Sequence, residues 1–558
     1  MNAPAVQQPY RRCADQDAAT PPQHPVVVVG AGPVGLSLAI DLAQRLQATG
    51  LRVVLLAGDG RLSSGSRAIC FAQRTLQVWD TLGVGDAAVA AGVGWNVGRV
   101  FLRSEPVYRF DLLPEPGHER PAFINLSQTV AETLLVQRAQ QLPNLELRWQ
   151  HSVGALQPGA DGVRLSVTTP EGDYALQASY VAACDGSRSP LRGLLGLEST
   201  GRVFRDRFLI ADVHIEGELF ETGSTERWFW FDPPFHPGYS VLLHRQPEGV
   251  WRIDFQLGWD ADPVAEQQPE AIVPRVQALL RTGFGRDVPF SLVWASVYTF
   301  GCRRMARFWP VEGAGRVLFA GDSAHGVSPF GARGANSGVQ DADNLGWKLA
   351  AVLQGQAPTA LLDSYAQERE AAADENITHS TRATDFITPK SAVSRLFRDA
   401  TLALAREHDF ARRLVNSGRL STATHYAESV LNTNDSGGAQ AFNTGPAPGS
   451  PAPDAPLQRV GRPVWLLRER GIGFTLLHFG PAPAWPVPAG LNVLCVDGDG
   501  LLDPDGLAAR RYGAQPGCAY LLRPDGHVAA RWQRPDAEAV KMALARALGQ
   551  VQTEAVPA

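Results

Sequence analysis

Gly30-Ala-Gly-Pro-Val-Gly35 follows the apolar, β-branched run Pro25–Val29 and opens a helical pattern. A second apolar run, Arg52–Leu56, completes a strand–helix–strand unit. In this context Gly30 permits a tight turn, Gly32 lets a pyrophosphate approach the backbone, and Gly35 allows the helix to pack closely on the strand. The helix N-terminus offers free N–H groups and a partial positive charge to the phosphates. The stretch therefore predicts a Rossmann-like unit that binds a dinucleotide; the alternative is a strand–helix turn without a ligand.

The end of the second predicted strand departs from the usual pattern of such units. An acidic residue there normally hydrogen-bonds the adenosine ribose, but this position is Ala57. Asp59 follows two residues later. We therefore expect Asp59 to replace the missing acid and to bind the ribose from a loop.

Length, charge and cysteine usage limit the class of protein. A chain of 558 residues is long enough for about three or four domains, and 44% hydrophobic with 19% charged residues is typical of globular proteins. A net charge of −5 offers no basic surface to nucleic acid or to an anionic membrane. The most apolar run, 26–43, is interrupted by glycines and Asp41, so no membrane span is expected. The six cysteines form no CxxC pair, which predicts a reducing, cytoplasmic location and no metal site.

Two further motifs follow predicted strands farther along the chain. They are Cys184-Asp-Gly-Ser-Arg-Ser-Pro-Leu-Arg192 and Gly315-Arg-Val-Leu-Phe-Ala-Gly-Asp-Ser-Ala-His325, the latter continued by Ser328-Pro-Phe-Gly-Ala-Arg-Gly-Ala-Asn-Ser-Gly338. Together with Ser66-Arg-Ala68 and the glycine motif, in this order, the chain resembles the group A flavoprotein aromatic hydroxylases. That family includes para-hydroxybenzoate, phenol and 3-(3-hydroxyphenyl)propionate hydroxylases. The resemblance covers roughly residues 26 to 369.

The resemblance, together with the sequence pattern, implies an α/β fold. We expect a Rossmann-like FAD-binding domain with an inserted mixed-sheet substrate domain, a helical segment and a C-terminal thioredoxin-like domain. Without a CxxC motif the last domain carries no dithiol chemistry, so it should pack on the body or support a homodimer. The expected boundaries are a disordered tail at 1–24, the FAD-binding domain at 25–95, 126–200 and 300–360, the substrate domain at 96–125 and 201–299, the helical segment at 361–431, a linker at 432–457 and the thioredoxin-like domain at 458–552.

The resemblance also implies FAD as cofactor, NAD(P)H as reductant, and a set of cofactor-binding residues. Asp322 would accept hydrogen bonds from the ribityl hydroxyls, and Pro329 would lie against the flavin ring. Taken alone, Asp322 could instead be a helix N-cap, Arg67 a surface ion pair and Gln128 a solvated loop residue. The expected cofactor-binding residues are Gly30, Gly32, Gly35, Asp59, Arg67, Gln128, Asp185, Gly186, Asp322, Pro329, Gly334, Ala335 and Asn336.

In this family NAD(P)H reduces FAD, O2 adds to form a C4a-hydroperoxyflavin, and the distal oxygen hydroxylates a phenolic ring. By position, the resemblance assigns His244, Arg252 and Asp254 to the substrate pocket. Arg252 and Asp254 share one face of a predicted strand because side chains repeat every two residues. An arginine there could hold a carboxylate, and a histidine could polarise a phenol. The alternative is that all three are exposed edge residues of a sheet.

The residue at position 69 bears on the identity of the substrate. Phenol hydroxylases use an aspartate two residues after the Arg67 position to deprotonate the substrate, whereas this chain has Ile69. The departure argues against simple phenol and favours a 3-(3-hydroxyphenyl)propionate-like substrate. A monooxygenase that tailors a polyketide or antibiotic remains an alternative, as does a flavin-binding protein without oxygenase activity. Asp185-Gly186, which the family links to NAD(P)H, argues against the last of these.

Overall fold

The apolar runs beside the glycine motif form the centre of a seven-stranded sheet. The computed structural model describes residues 7–63, 68–220, 225–310, 312, 315–415, 422–435, 442–498 and 500–551. Strand Gln23–Val29 is parallel to both of its neighbours, as expected for strands buried on both faces. In spatial order the sheet contains Leu145–Trp149, Val53–Ala57, Gln23–Val29, Gly172–Ala183, Val163–Thr169 and Ser152–Pro158, with Val317–Phe319 paired to Gly172–Ala183.

Two helices, Pro33–Leu46 and Gly334–Leu353, pack closely against each other beside this sheet. Glycines make the close approach possible. A Cβ atom on Gly338 would lie 2.5 Å from Val34 Cγ2, and one on Gly346 would overlap the Asp41 carboxylate. Larger residues at these positions would push the helices apart, because a packed interior has no room to absorb the added volume.

A second seven-stranded sheet has one apolar face and one face with polar side chains. Leu209, Ala211 and Val213 alternate along one strand and point into an apolar core, together with Leu243 and Ile253 of neighbouring strands. The opposite face carries the polar residues described in the next subsection. In spatial order the strands are Phe290–Tyr298, Arg207–Ile215, Val250–Leu257, Ser240–Arg245, Arg227–Phe231, Val97–Leu102 and Glu105–Asp111.

Two smaller sheets and nine further helices complete the part of the chain before the C-terminal unit, within the described residues. The small sheets have three strands each: Cys70–Ala72, Phe123–Asn125 and Val93–Trp95 in one, and Ser199–Val203, Gly301–Met305 and His325–Gly326 in the other. The helices are Gln73–Leu82, Gly85–Ala91, Gln128–Ala139, Pro190–Leu194, Pro263–Glu266, Pro269–Ala278, Leu361–Ile387, Ala392–Ala405 and Asp409–Val415, with 3₁₀ turns at Ala14–Asp17, Gln47–Thr49 and Gly321–Ser323 and a π turn at Leu279–Gly283.

The C-terminal unit, residues 456–551, has a mixed sheet of its own. Its strands, in spatial order, are Arg462–Trp465, Pro456–Arg459, Leu501–Leu502, Asn492–Val496, Thr475–Phe479, Ala519–Leu522 and Val528–Trp532. The helices of this unit are Leu466–Glu469, Leu507–Tyr512 and Ala537–Ala547.

One expectation about an irregular segment, the disordered tail, needs correction. Residues 7–24, expected to belong to a disordered tail, are ordered: the ring of Tyr10 stacks on His151 with centroids 5.5 Å apart, and Asp15 pairs with Arg148 at 2.7 Å. Ala452 and Ala455, within the expected linker 432–457, are buried in the core of the C-terminal unit. Composition did not predict this packing, because it depends on distant partners.

Within the described residues no helix is both long and apolar enough to cross a membrane. The same residues contain no group of three or more His, Cys, Asp or Glu side chains that could hold a metal ion. The six cysteines are buried thiols that form no disulfide.

Candidate functional site

A cleft of about 540 Å³ lies between the part of the chain built on the first sheet and the part built on the second sheet, and residues of both parts line it. One side is formed by the N-terminal ends of the helices Pro33–Leu46 and Gly334–Leu353, and the other by side chains of the second sheet. Neither helix has a side chain that caps its first N–H groups. Free backbone donors and two helix dipoles therefore make this side of the cleft suitable for negatively charged or carbonyl groups.

The glycine motif has the geometry that its spacing predicts. Gly30 has φ +110°, and a Cβ atom there would overlap the backbone carbonyl of Cys184. A Cβ atom on Gly35 would overlap the Gly30 carbonyl, so this residue sets the distance between helix and turn. Gly32 lines the cleft and has open space where a Cβ would be. Two of the glycines thus allow backbone packing, and the third leaves room for a ligand.

Asp322 lines the cleft from the 3₁₀ turn Gly321–Ser323. The turn is fixed from behind by Asp341, which accepts the Gly321 N–H at 2.9 Å and contacts His325 Nε2 at 2.7 Å. Arg369 Nε donates to the other oxygen of Asp341 at 2.6 Å. Burial opposes ionisation of Asp341, but the opposite charges of His325 and Arg369 hold its pKa below the ordinary value. A buried, charged carboxylate therefore fixes the loop that presents Asp322.

Pro329, Gly334 and Ala335 also line the cleft, as does Asn336. The side chain of Asn336 is fully used inside the protein: its Oδ1 accepts from the Ala72 N–H and the Thr75 hydroxyl, and its Nδ2 donates to backbone carbonyls. Asn336 thus anchors the start of its helix to the strand Cys70–Ala72, and only its backbone remains for a ligand.

The other expected cofactor residues differ in their position relative to the cleft. Gln128 and Gly186 line the cleft. Asp185 is near it but caps the short helix Pro190–Leu194, accepting from the Ser189 hydroxyl at 2.6 Å and from the Leu191 N–H at 2.9 Å. Asp59 is exposed and does not line the cleft. Arg67 lies outside the described residues.

The three expected substrate residues meet on the cleft face of the second sheet. The strand register places Asp212, Arg252 and His244 directly opposite one another on three adjacent strands. Asp254 is two residues beyond Arg252, and its Oδ2 contacts His244 Nε2 at 3.2 Å. His244, Arg252 and Asp254 all line the cleft. They form one polar row because side chains directly opposite in a sheet share a face.

Arg252 is already paired with a carboxylate of the protein itself. Its Nε and Nη2 donate to the two oxygens of Asp212, both at 2.8 Å. Both side chains are nearly fully buried. The bidentate geometry is the strongest form of this pair, so the charge of Arg252 is already balanced within the protein.

Burial and charge set the protonation of His244 and Asp254. Desolvation, reinforced by the nearby Arg227 guanidinium, lowers the pKa of His244 to about 4. Burial opposes ionisation of Asp254, but the hydrogen bond from His244 and the positive charges of Arg252 and Arg227 leave its pKa below the ordinary value. At neutral pH the pair is therefore a neutral imidazole and a carboxylate. Asp254 Oδ1 is buried and has no hydrogen-bond partner among the described residues.

Sequence reasoning missed Arg227 and Cys70, which also line the cleft. Trp228 pairs with Leu243, so Arg227 lies across from His244 and extends the polar row to a fourth strand. Its Nε has no hydrogen-bond partner in the part of the chain that the structure describes, and its Nη1 contacts Cys70 Sγ at 3.9 Å. Arg227 could have been found from the strand pattern, because alternate residues face the same side and Trp228 and Trp230 pack into the apolar core on the opposite face.

The donor set of the cleft fits FAD. Two uncapped helix N-termini suit a pyrophosphate and the carbonyl edge of a flavin, and the open space at Gly32 allows a phosphate to approach the backbone. The exposed carboxylate of Asp322, which lines the same cleft, suits a chain of hydroxyl groups.

Comparisons with known proteins agree with this fit. A family model described as an FAD binding domain matches residues 23–380. The chain is 31% identical over 535 residues to 6-methylpretetramide 4-monooxygenase of Streptomyces rimosus, and the match covers 91% of each chain. It is 29% identical over 406 residues to a 3-(3-hydroxy-phenyl)propionate/3-hydroxycinnamic acid hydroxylase of Mycolicibacterium smegmatis, covering 73% of this chain and 69% of the other.

A solved structure is similar over nearly the whole length. The ternary complex of aklavinone-11 hydroxylase with FAD and aklavinone superposes with a TM-score of 0.73 at 25% sequence identity. The match covers 95% of this chain and 100% of that one, so it includes the C-terminal unit.

Proposed function

This chain belongs to the FAD-dependent aromatic monooxygenases, and from that premise we propose that it hydroxylates a phenolic ring of a polycyclic substrate with NAD(P)H and O2. The observation that carries the proposal is the row of His244, Asp254 and Arg227 facing two uncapped helix N-termini across one cleft. One side suits a flavin and the other suits an aromatic ring with an ionisable hydroxyl.

FAD, when bound and reduced by NAD(P)H, activates O2 so that one oxygen atom can be delivered to the ring. In the proposed arrangement the N–H groups at the start of helix Pro33–Leu46 hold the pyrophosphate, and Asp322 accepts hydrogen bonds from the ribityl hydroxyls. The backbone N–H groups of Gly334 and Ala335 would donate hydrogen bonds to the carbonyl edge of the flavin, where they would stabilise negative charge.

Asp254 is the proposed hydrogen-bond acceptor for the substrate hydroxyl. A phenol that gives up its proton, or shares it with a carboxylate, has a more electron-rich ring and is attacked more readily by an electrophilic oxygen. Asp254 is ionised at neutral pH and has an oxygen without an internal partner. His244 is a positioning residue in this scheme, because its ring contacts the other oxygen of Asp254. Asp254 would thus take the role of the aspartate that phenol hydroxylases have at the position of Ile69.

Arg227 is the proposed partner of an oxygen that becomes negative. Its guanidinium is buried beside the cleft, and burial lowers its pKa. A buried cation without a hydrogen bond to its Nε favours a ligand that brings negative charge or a carbonyl oxygen. Phenolate and quinone-like oxygens of aromatic polyketides meet this requirement.

The polycyclic substrate class rests on two arguments. Arg252 is bound to Asp212, so the arginine assigned to a propionate carboxylate is occupied. The relative matched over 91% of both chains is named for the substrate 6-methylpretetramide. A 3-(3-hydroxyphenyl)propionate-like substrate is the second candidate, because Arg227 could pair with its carboxylate instead.

For the architecture we propose the division expected from the sequence. The first sheet and its helices form a Rossmann-like FAD-binding domain, and the second sheet is the inserted substrate domain. The C-terminal unit is thioredoxin-like, on the basis of a mixed sheet with parallel Thr475–Phe479 and Asn492–Val496 beside antiparallel Ala519–Leu522.

The test is oxidation of NADH and NADPH by the FAD-loaded protein with 6-methylpretetramide, aklavinone or 3-(3-hydroxyphenyl)propionate, followed by mass spectrometry of the products. Stimulated oxidation with a product one oxygen atom heavier from a polycyclic phenol would support the proposal. Hydroxylation restricted to 3-(3-hydroxyphenyl)propionate would keep the reaction but replace the substrate class. Stimulated oxidation without any oxygenated product from these compounds would contradict the proposed substrates.

A further inference from the structure

A network of buried charges joins the C-terminal unit to the helix Leu361–Ile387. Arg523 donates from Nη1 and Nη2 to the two oxygens of Glu368 at 2.7 and 2.8 Å. Lys348 Nζ donates to the same carboxylate at 2.7 Å. Arg523 also contacts Asp525 at 2.5 Å within its own unit. All four side chains are at most 4% exposed, so each charge depends on its partners for compensation.

The same network reaches the helix that begins at the cleft. Asp525 Oδ2 accepts from Asn344 Nδ2 at 3.2 Å and from Trp347 Nε1 at 3.0 Å, both on the helix Gly334–Leu353. The C-terminal unit therefore holds the buried side of this helix through a carboxylate.

A second branch starts at His527 and ends at the helix start. The ring of His527 lies 4.5 Å from that of Tyr426, centroid to centroid. Arg369 donates from Nη1 to the Tyr426 hydroxyl at 2.6 Å and from Nη2 to Ser337 Oγ at 3.0 Å. Ser337 is the residue after Asn336, which lines the cleft.

Arg369 also connects this branch to the loop of Asp322. Its Nε donates to Asp341, and Asp341 in turn accepts the N–H of Gly321, the residue before Asp322. Residues of the C-terminal unit thus contact, through Tyr426 and Arg369, both backbone segments that the cleft presents to its ligand. Tyr426, Arg369 and His527 do not themselves line the cleft.

We infer that the C-terminal unit is a positioning element of the FAD site, which acts through Tyr426 and Arg369 on the loop of Asp322 and the start of helix Gly334–Leu353. This gives a role to a unit that carries no dithiol motif. The inference rests on the proposed placement of FAD in the cleft. Coupling of this kind requires contiguous contacts with defined geometry, and the path consists of hydrogen bonds of 2.6 to 3.0 Å and one ring contact.

The test uses Tyr426→Phe, which removes one buried hydroxyl and leaves the ring contact with His527. Tyr512→Phe is the matched control, because its hydroxyl donates to the Pro453 carbonyl at 2.9 Å and does not belong to the network. Release of FAD from each holoenzyme is followed after dilution by the rise of flavin fluorescence. We expect release from Tyr426→Phe to be about tenfold faster than from the wild type, or about 1.4 kcal/mol, and release from Tyr512→Phe to be within twofold of the wild type.

Amide hydrogen exchange of residues 321–341 provides a readout that does not depend on FAD. Faster exchange there in Tyr426→Phe, but not in Tyr512→Phe, would support the inference. Equal FAD release and equal exchange in both variants would overturn it, even if both lower the melting temperature. Wild-type protein that binds no FAD would contradict the proposed function, and the exchange measurement would still decide on the coupling between the C-terminal unit and the loop.

Discussion

Replacing Asp254 with asparagine is the most direct test of the proposed substrate site. The change keeps the size of the side chain but removes its charge and turns one oxygen into an amino group. An amide oxygen can still accept from His244 Nε2, which lies 3.2 Å from Asp254 Oδ2. The main loss is the anionic oxygen that has no partner within the described protein.

The expected size of the effect follows from what that oxygen does. Removing a positioned base costs roughly 10²-fold or more in the chemical step, and a 100-fold loss corresponds to about 2.7 kcal/mol on the barrier. Substrate binding loses at most one hydrogen bond to a charged group, about 1.5–3 kcal/mol, so the dissociation constant should rise by no more than about 150-fold. A phenol with a pKa near 10 ionises about tenfold more for each unit between pH 7 and pH 9. The rate of the variant should therefore climb with pH more steeply than that of the wild type.

The assay measures hydroxylated product per NAD(P)H consumed from pH 7 to pH 9, with substrate binding followed by the perturbation of flavin absorbance. Asp232→Asn is the control: Asp232 lies at the end of strand Arg227–Phe231 outside the cleft, and asparagine tolerates its φ of +53°. Product formation by Asp254→Asn at the wild-type rate at pH 7, or an equal loss in Asp232→Asn, would refute the reasoning.

Three other outcomes are expected. Asp212→Ala leaves the buried Arg252 guanidinium unpaired. The free energy of unfolding, measured by urea titration, should fall by about 3–5 kcal/mol. A decrease of less than about 1 kcal/mol would mean that the ion pair is solvated. Gly30→Ala places a Cβ atom on a residue with φ of +110° and against the backbone carbonyl of Cys184. It should weaken FAD binding at least about tenfold, measured as the flavin retained after gel filtration. Full retention of flavin would show that the turn can rearrange. In the folded protein the pKa of His244 is about 4, below its ordinary value of 6.5. Because the unfolded chain therefore binds a proton more readily, the free energy of unfolding should fall by up to about 3 kcal/mol as the pH is lowered from 6.5 to 4. His244→Gln should remove this part of the pH dependence. If the free energy of unfolding of the variant still changed with pH as steeply as that of the wild type, the prediction would be wrong.

The local parts of the site could be predicted from the sequence. The turn at Gly30, the open backbone at Gly32 and the shared face of Arg252 and Asp254 follow from short-range spacing and from the periods of helix and strand. Such features depend on residues that are close together in the chain. The resemblance to a known family then predicted that these features belong to one site.

The missed parts depend on register and on distant contacts. Arg252 and Asp212 are 40 residues apart in the chain and lie opposite each other only because their two strands pair in this register. A shift of the register by one residue would turn Asp212 to the other face of the sheet. The internal use of the Asn336 side chain depends on the strand Cys70–Ala72, more than 260 residues away. No local pattern carries this information.

The burial of all six thiols has a practical consequence for studying how this protein opens. An alkylating reagent can modify a buried thiol only while the surrounding structure is transiently open, so the labelling rate measures the free energy of that local opening. Cys13 reports on the N-terminal segment, Cys70 on the wall of the cleft and Cys518 on the C-terminal unit. Mass spectrometry of one labelling reaction would thus give a separate opening rate for each region of the native protein, with no probe added to the chain.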